Sequence, residues 1–263
     1  MHMPTPEPSL LRTPNRTPSR TPSRRTASRN GAMIVAVASS ILFAAAQPEK
    51  PSFAPATPDG KTLVIPASEA SLGTAYYTIT NRDRQIYFES NAPLEDIKGQ
   101  SNQVIGYAIV SSNNPGKIVA GEWHLPVKSM KTGIKKRNEH LASDMWLDAK
   151  SFPDIVFHIT ETKDLKAVKE TPNFSSYTTT LVGDMTIHGV THTISIPGST
   201  ITTMNASAAT RKVAKGNLLA IHSKFSVSLK DYGVSHPVIG EKVANNVKLD
   251  VSLYLSSEPP AKQ

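Results

Sequence analysis

Apolar and polar residues alternate through most of the second half of this 263-residue chain. The clearest run, 247–255, places five apolar residues on one face and Lys248, Asp250 and Ser252 on the other. Because strand side chains point alternately to two faces, a period of two predicts a strand with one buried face. The same period recurs in three further runs, at 155–160, 181–188 and 223–230.

Shorter alternating runs precede these, at 76–80, 85–89, 104–110 and 118–127. Turn-forming clusters such as 111–116 and 231–233 separate neighbouring runs. This pattern predicts an all-β domain, and by itself it leaves a barrel and a sandwich open. A closed antiparallel barrel of about eight strands either fills its interior with side chains or keeps room for one small ligand.

One short helix interrupts the strand pattern, in the stretch 135–148. Leu141, Met145 and Trp146 stand there at helix-like spacing, and Pro153 follows beyond the stretch. The helix is expected to cap or flank the mouth of a barrel.

The net charge of +8 is concentrated at the N-terminus. Six arginines and one acid precede residue 47, so the rest of the chain carries 23 basic and 20 acidic side chains. A body so nearly balanced gives no reason to expect nucleic acid as a partner. The chain has no cysteine, which excludes disulfides, thiol nucleophiles and Cys-ligated metals.

The N-terminal segments predict export to the periplasm or secretion. Residues 1–31 form a Thr/Pro/Ser/Arg-rich leader expected to be disordered, and 32–46 is an uncharged apolar run that ends in three alanines. About fifteen apolar residues fall short of the roughly twenty that span a bilayer, so a cleaved signal peptide is favoured over an anchor. A Pro-rich linker at 47–60 leads to the folded domain at 61–255, and 256–263 is a tail; Met33 is an alternative start to Met1.

Four segments in one order resemble the YceI-like family. Residues 130–141 are similar to its threonine–glycine and Arg-Asp-x-His-Leu element, and 148–157 to its Phe/Tyr-Pro-x-Ile-x-Phe strand entry. Residues 182–191 resemble its Gly-x-Leu-Thr-Ile-x-Gly-Val-Thr hairpin, and 225–243 its Asp-Phe/Tyr-Gly-Val strand end and final hairpin. The motif residues are Arg137, His140, Gly189 and Gly233, while Asn138 replaces the family's usual aspartate.

The resemblance implies a lipocalin-like barrel that binds a long-chain polyisoprenoid, either an isoprenoid or an isoprenoid quinone, without catalysis. The lining is expected to include Tyr107, Trp146, Phe157 and Phe225, although aromatic residues by themselves could equally fill a core. No cofactor is expected, and peripheral membrane contact and a homodimer stay open. Since no phosphate-cradling motif is visible, the charge of the lipid head group is expected to matter little.

Two other functions compete with the carrier. Arg137 and His140 could form the polar site of an envelope enzyme, but no nucleophile elbow or Gly-rich phosphate loop accompanies them, and hydrogen bonds to the barrel rim are the simpler interpretation. A filled barrel would instead indicate a structural or stress protein. His188 and His192 stand four residues apart, but a turn through Gly189 is expected to splay them, so no metal site is predicted.

Overall fold

The computed structural model describes residues 63–80 and 84–259. The leader, the apolar run and the linker predicted at 1–31, 32–46 and 47–60 lie outside the described residues. The strands are β1 Gly73–Thr78, β2 Ile86–Asn91, β3 Asp96–Ser101, β4 Ile105–Ser111, β5 Ile118–Pro126, β6 Asp154–Thr171, β7 Phe174–Ile187, β8 Val190–Met204, β9 Leu218–Ser228 and β10 Asn246–Ser256. The helices are α1 Ala67–Ala70 and α2 Lys135–Leu141, with single 3₁₀ turns at Val127–Ser129 and Thr210–Lys212. None of these described helices has the length and apolar character needed to cross a membrane.

The sheet closes on itself. Each strand from β4 to β10 pairs antiparallel with the next, β1 pairs with β4, and β1 also pairs with β10 at Tyr77↔Ser256. β1 and β2 lie one after the other along β10 and together form one interrupted strand of the barrel. β3 pairs with β2 as β4 pairs with β1, so β3 and β4 form a second interrupted strand. The result is the closed, eight-stranded antiparallel barrel predicted from the sequence.

Alternation along the strands decides which side chains face inward. On β5, Trp123 and Leu125 belong to the main apolar cluster, and the intervening Glu122 and His124 face the other way. On β10, Leu253 and Leu255 are buried in the same cluster. The main core is therefore the inside of the barrel.

A smaller cluster lies against the outer wall. Ile65 and Tyr77 pack there with Tyr107, Ile109 and Ala120, and all five are buried. The segment that contains α1 thus covers β1, β4 and β5 from outside, an arrangement that the sequence did not predict.

The helix is shorter than predicted. α2 ends at Leu141, and the chain continues through turns in which Leu147 is buried, while Met145 has 61% of its surface exposed. Leu141 belongs to the helix, but Met145 and Trp146 lie in the turns after it, and Met145 points to solvent. The spacing of the three residues is therefore not that of one continuous amphipathic helix. β8 runs to Met204, and the connection from there to β9 is irregular apart from the 3₁₀ turn Thr210–Lys212.

Two glycines hold turns at one end of the barrel, as predicted. His188 and Gly189 both have positive φ, of 51° and 76°, as a two-residue hairpin turn of this kind requires. Gly233 has a φ of 72°. A Cβ on Gly189 would lie 2.3 Å from Phe152 Cε1, whereas at Gly233 the nearest atom would be 3.6 Å away.

Replacing either glycine with valine should destabilise the fold, and Gly189→Val should cost more. Strain in the left-handed region is worth roughly 1–3 kcal/mol at each position, and Gly189→Val must also displace Phe152. Chemical denaturation of both variants measures the free energy of unfolding. Equal stability of both variants and the unaltered protein would contradict the assignment.

Candidate functional site

An apolar cavity of about 470 Å³ lies inside the barrel. This volume falls within the range of small-molecule binding sites, roughly 300–1,000 Å³. Side chains from both the strands and the loops at one end form its wall, including Val104, Trp123, Leu125, Phe157, Leu181, Met185, Ile196, Ile221, Phe225, Leu249 and Leu253. The barrel is therefore not filled by its own side chains.

The structure places three of the four predicted lining residues on this wall. Phe157 on β6 and Phe225 on β9 point inward from their strands, and Trp146 lies on the wall from the segment after α2. The rings of Phe157 and Trp123 stack with centroids 6.3 Å apart. The Trp146 indole stacks on the His236 ring at 4.7 Å, which joins the α2 segment to the loop before β10.

Tyr107 does not line the cavity, contrary to the expectation. Its ring lies in the outer cluster, 1% exposed, and its hydroxyl donates a 2.8 Å hydrogen bond to Glu69. Burial raises the pKa of Tyr107 above its ordinary value, and the Glu69 carboxylate adds to the shift. The sequence could not indicate the inner face, because β4 is buried on both faces and its apolar run does not alternate.

Trp123 is a wall residue that the sequence prediction left out of the site. The run 118–127 did contain the signal, since Glu122 and His124 alternate with Trp123 and Leu125. Glu122 and His124 stand two residues apart and mark the solvent face, so Trp123 and Leu125, which alternate with them, belong on the inner face.

Three segments surround the open end of the cavity, which we call the rim: residues 92–95, 132–147 and 236–244. The Arg137 guanidinium donates to Glu95 at 2.5 Å, and the Leu94 N–H donates to the Glu241 carbonyl at 2.9 Å. These bonds tie the rim segments to one another.

The two motif residues of α2 both border the cavity at the rim. Arg137 anchors α2 to the β2–β3 turn, as the simpler interpretation of this residue held, whereas His140 is an exposed side chain. Asn138 accepts hydrogen bonds from the N–H and hydroxyl of Thr132, at 2.8 and 2.7 Å. The asparagine thus fixes the turn before the helix without an ion pair.

Titratable groups converge on the outer wall, away from the cavity. His124 Nε2 lies 2.7 Å from Glu122, its Nδ1 lies 3.5 Å from Asp154, and His158 Nδ1 lies 3.5 Å from Glu122. Burial disfavours the charged form of His124, but the carboxylates of Asp154 and Glu122 outweigh it and raise the pKa of His124 to about 9. This cluster therefore holds β5 and β6 together from the outside.

Stability should fall at alkaline pH because of His124. Its pKa is about 9 in the folded protein against about 6.5 when unfolded, so its contribution is complete below about pH 6.5 and disappears as pH rises through about 9. We expect a loss on the order of 2–3 kcal/mol across this window. Denaturant titrations between pH 6 and 10 measure it, and His124→Gln should flatten the profile. The same slope in the variant would contradict the assignment.

His188 and His192 have separate surroundings. The His188 ring packs edge-on against Phe152, with centroids 5.1 Å apart. His192 Nε2 lies 2.9 Å from the Asp231 carbonyl, and its ring contacts Tyr232. Each histidine thus packs beside a different aromatic ring.

Solved structures to which this one is similar come from several bacteria. A polyisoprenoid-binding domain from Saccharophagus degradans, implicated in plant cell wall breakdown, has a TM-score of 0.50 and 12% identity, over 70% of this chain and 99% of that one. BcnA from Burkholderia cenocepacia has a TM-score of 0.48 and 15% identity, over 68% and 95% of the two chains. The YCEI protein of Campylobacter jejuni has a TM-score of 0.44 and 16% identity, over 62% and 86%.

The likeness to the Saccharophagus degradans domain, at 12% identity, shows the fold alone. No curated protein matches the chain significantly. Residues 77–255, well over half of the chain, match the family described as the YceI-like domain. The match begins in the last two residues of β1, ends one residue before the end of β10, and includes the rim. The chain therefore belongs to the YceI-like family.

Proposed function

We propose that this protein is a non-catalytic carrier that holds one long-chain isoprenoid lipid, an isoprenoid or an isoprenoid quinone, inside its barrel. The observation that carries the proposal is the apolar cavity, which opens at the rim and is walled by side chains of β2, β3 and β5–β10. The Saccharophagus degradans domain with the same fold is described as polyisoprenoid-binding. A branched hydrocarbon chain suits this wall because it needs burial and no polar partner.

The composition of the cavity wall suits contact with a hydrocarbon chain. Phe157, Phe225 and Trp146 give it large flat surfaces, and most of the other wall residues are aliphatic. Polar side chains such as Thr132, Arg137 and His140 come from the rim segments. An amphiphile would therefore insert its chain and leave its head group at the opening.

The competing functions have less support. A stress or structural protein with a filled barrel does not need a cavity of about 470 Å³. An enzyme built on Arg137 and His140 would need further reacting groups, yet the Arg137 guanidinium is engaged with Glu95. The cluster of Glu122, His124, Asp154 and His158 faces away from the cavity.

The proposal includes export to the periplasm or the medium, for which the apolar run at 32–46 is the support. A carrier of membrane lipids needs a peripheral membrane contact to load and unload. Leu94 and Ile134 suit such a contact, because they are 69% and 50% exposed at the rim.

Native mass spectrometry of protein purified from its own envelope tests the proposal. We expect a bound mass of one lipid per chain, which extraction and fragmentation should resolve into repeating five-carbon units. N-terminal sequencing of the same preparation should begin near Gln47. A bound lipid without isoprene units would contradict the isoprenoid carrier. A chain purified from the cytoplasm with its first thirty residues intact would contradict export.

A further inference from the structure

The charges that border the cavity are unequal. Besides His140, four acidic or basic side chains line it at the rim, namely Glu95, Lys136, Arg137 and Lys242. Arg137 and Glu95 neutralise each other in their ion pair. Two positive charges, those of Lys136 and Lys242, are left at the opening of an otherwise apolar cavity.

Neither lysine has an acidic partner among residues 63–80 and 84–259. No ion pair joins Lys136 or Lys242 to any carboxylate there, although Lys135, next to Lys136, pairs with Glu139. Asp144 and Glu241 belong to the same rim segments but do not line the cavity. Both lysines are exposed, so their ammonium groups can reach a ligand atom that projects from the opening.

The two lysines come from different rim segments. Lys136 stands on α2, which Arg137 fixes to Glu95, and Lys242 follows Glu241, whose carbonyl receives the N–H of Leu94. Both are therefore tied to the turn between β2 and β3. The fold therefore sets the backbone positions from which the two lysine side chains extend.

We propose that the rim selects isoprenoid lipids with an anionic phosphate head group, which Lys136 on α2 and Lys242 in the loop before β10 bind. This inference rests on the proposed function, since the apolar chain must occupy the cavity to bring its head group to the lysines. Charge attraction at a partly desolvated opening would add to burial of the chain. The proposal differs from the expectation that head-group charge matters little, because lysines 106 positions apart form no sequence motif.

Titration with two lipids of the same chain length, a polyprenyl phosphate and the corresponding polyprenol, tests the proposal on the mature protein. We expect the phosphate to bind about tenfold more tightly at low salt, as two partly exposed charge pairs provide. The preference should shrink towards one in about 1 M salt, where the Debye length is about 3 Å. Lys136→Met with Lys242→Met should bring the ratio of the two affinities close to one, and the two Lys→Arg changes should keep it.

Matched controls come from the far end of the barrel. Lys166 and Lys169 are exposed on β6 beyond the cavity, so Lys166→Met with Lys169→Met changes the net charge equally and should leave both affinities unaltered. Equal affinity for alcohol and phosphate would overturn the head-group proposal alone. Failure of both lipids to bind would overturn the carrier as well. If inorganic phosphate binds as tightly as the lipid, the lysines bind a free anion and not a lipid head group, which would overturn the proposal.

Discussion

Each five-carbon unit added to an isoprenoid should tighten its binding about tenfold until the chain fills the cavity. Burial of drug-sized ligands provides about 0.3 kcal/mol per heavy atom, which is roughly 1.5 kcal/mol per isoprene unit. The ceiling is about 0.8 kcal/mol for each fully buried CH₂. The apolar wall offers every added unit the same kind of contact, so the gain should repeat from one unit to the next.

Competition against a fluorescent fatty ligand, with a series of isoprenoid alcohols of increasing length, measures this slope. A plateau is expected once the chain reaches the rim, and its position reports how many units the cavity holds. The binding heat capacity should be negative, as it is when apolar surface leaves water. Tight binding of a short polar ligand, without dependence on chain length, would end the carrier interpretation and favour an enzyme.

A carboxylate placed on the cavity wall should abolish binding. Phe157→Asp and Phe225→Asp each remove a ring from the wall and introduce a charge that a bound hydrocarbon chain would desolvate. We expect an affinity loss of more than about a hundredfold for either change, since uncompensated burial of a charge costs several kcal/mol. Both rings are half-buried, so we expect the new carboxylate to keep access to solvent and the variants to remain folded without ligand.

Val168→Asp is the matched control for these two variants. Val168 is 64% exposed on β6, so the same charge placed there meets solvent and should leave affinity unchanged. Circular dichroism and thermal unfolding must first show that all three proteins are folded. Normal lipid binding by folded Phe157→Asp and Phe225→Asp would show that the ligand binds outside the barrel.

The sequence pattern by itself determined the all-β class, because alternation of apolar and polar residues is a local property, but it left a barrel and a sandwich open. Runs such as 155–160, 223–230 and 247–255 have one apolar face each, and a chain with many such strands must bury those faces together. The same local signal placed Phe157 and Phe225 on the inner face. Positive φ at Gly189 and Gly233 was also foreseeable, since glycine between alternating runs marks a tight turn.

Where local alternation fails, only the tertiary structure decides. β4 is apolar on both faces, so the sequence could not show that Tyr107 faces the outer cluster, which exists because residues 63–72 fold back over the wall. The size of the cavity was equally undetermined, since volume depends on how eight strands close and not on any one of them. The pairing of Arg137 with Glu95 and the two lysines at the opening join residues distant in sequence, and their charges act on one ligand only because the folded rim brings them together.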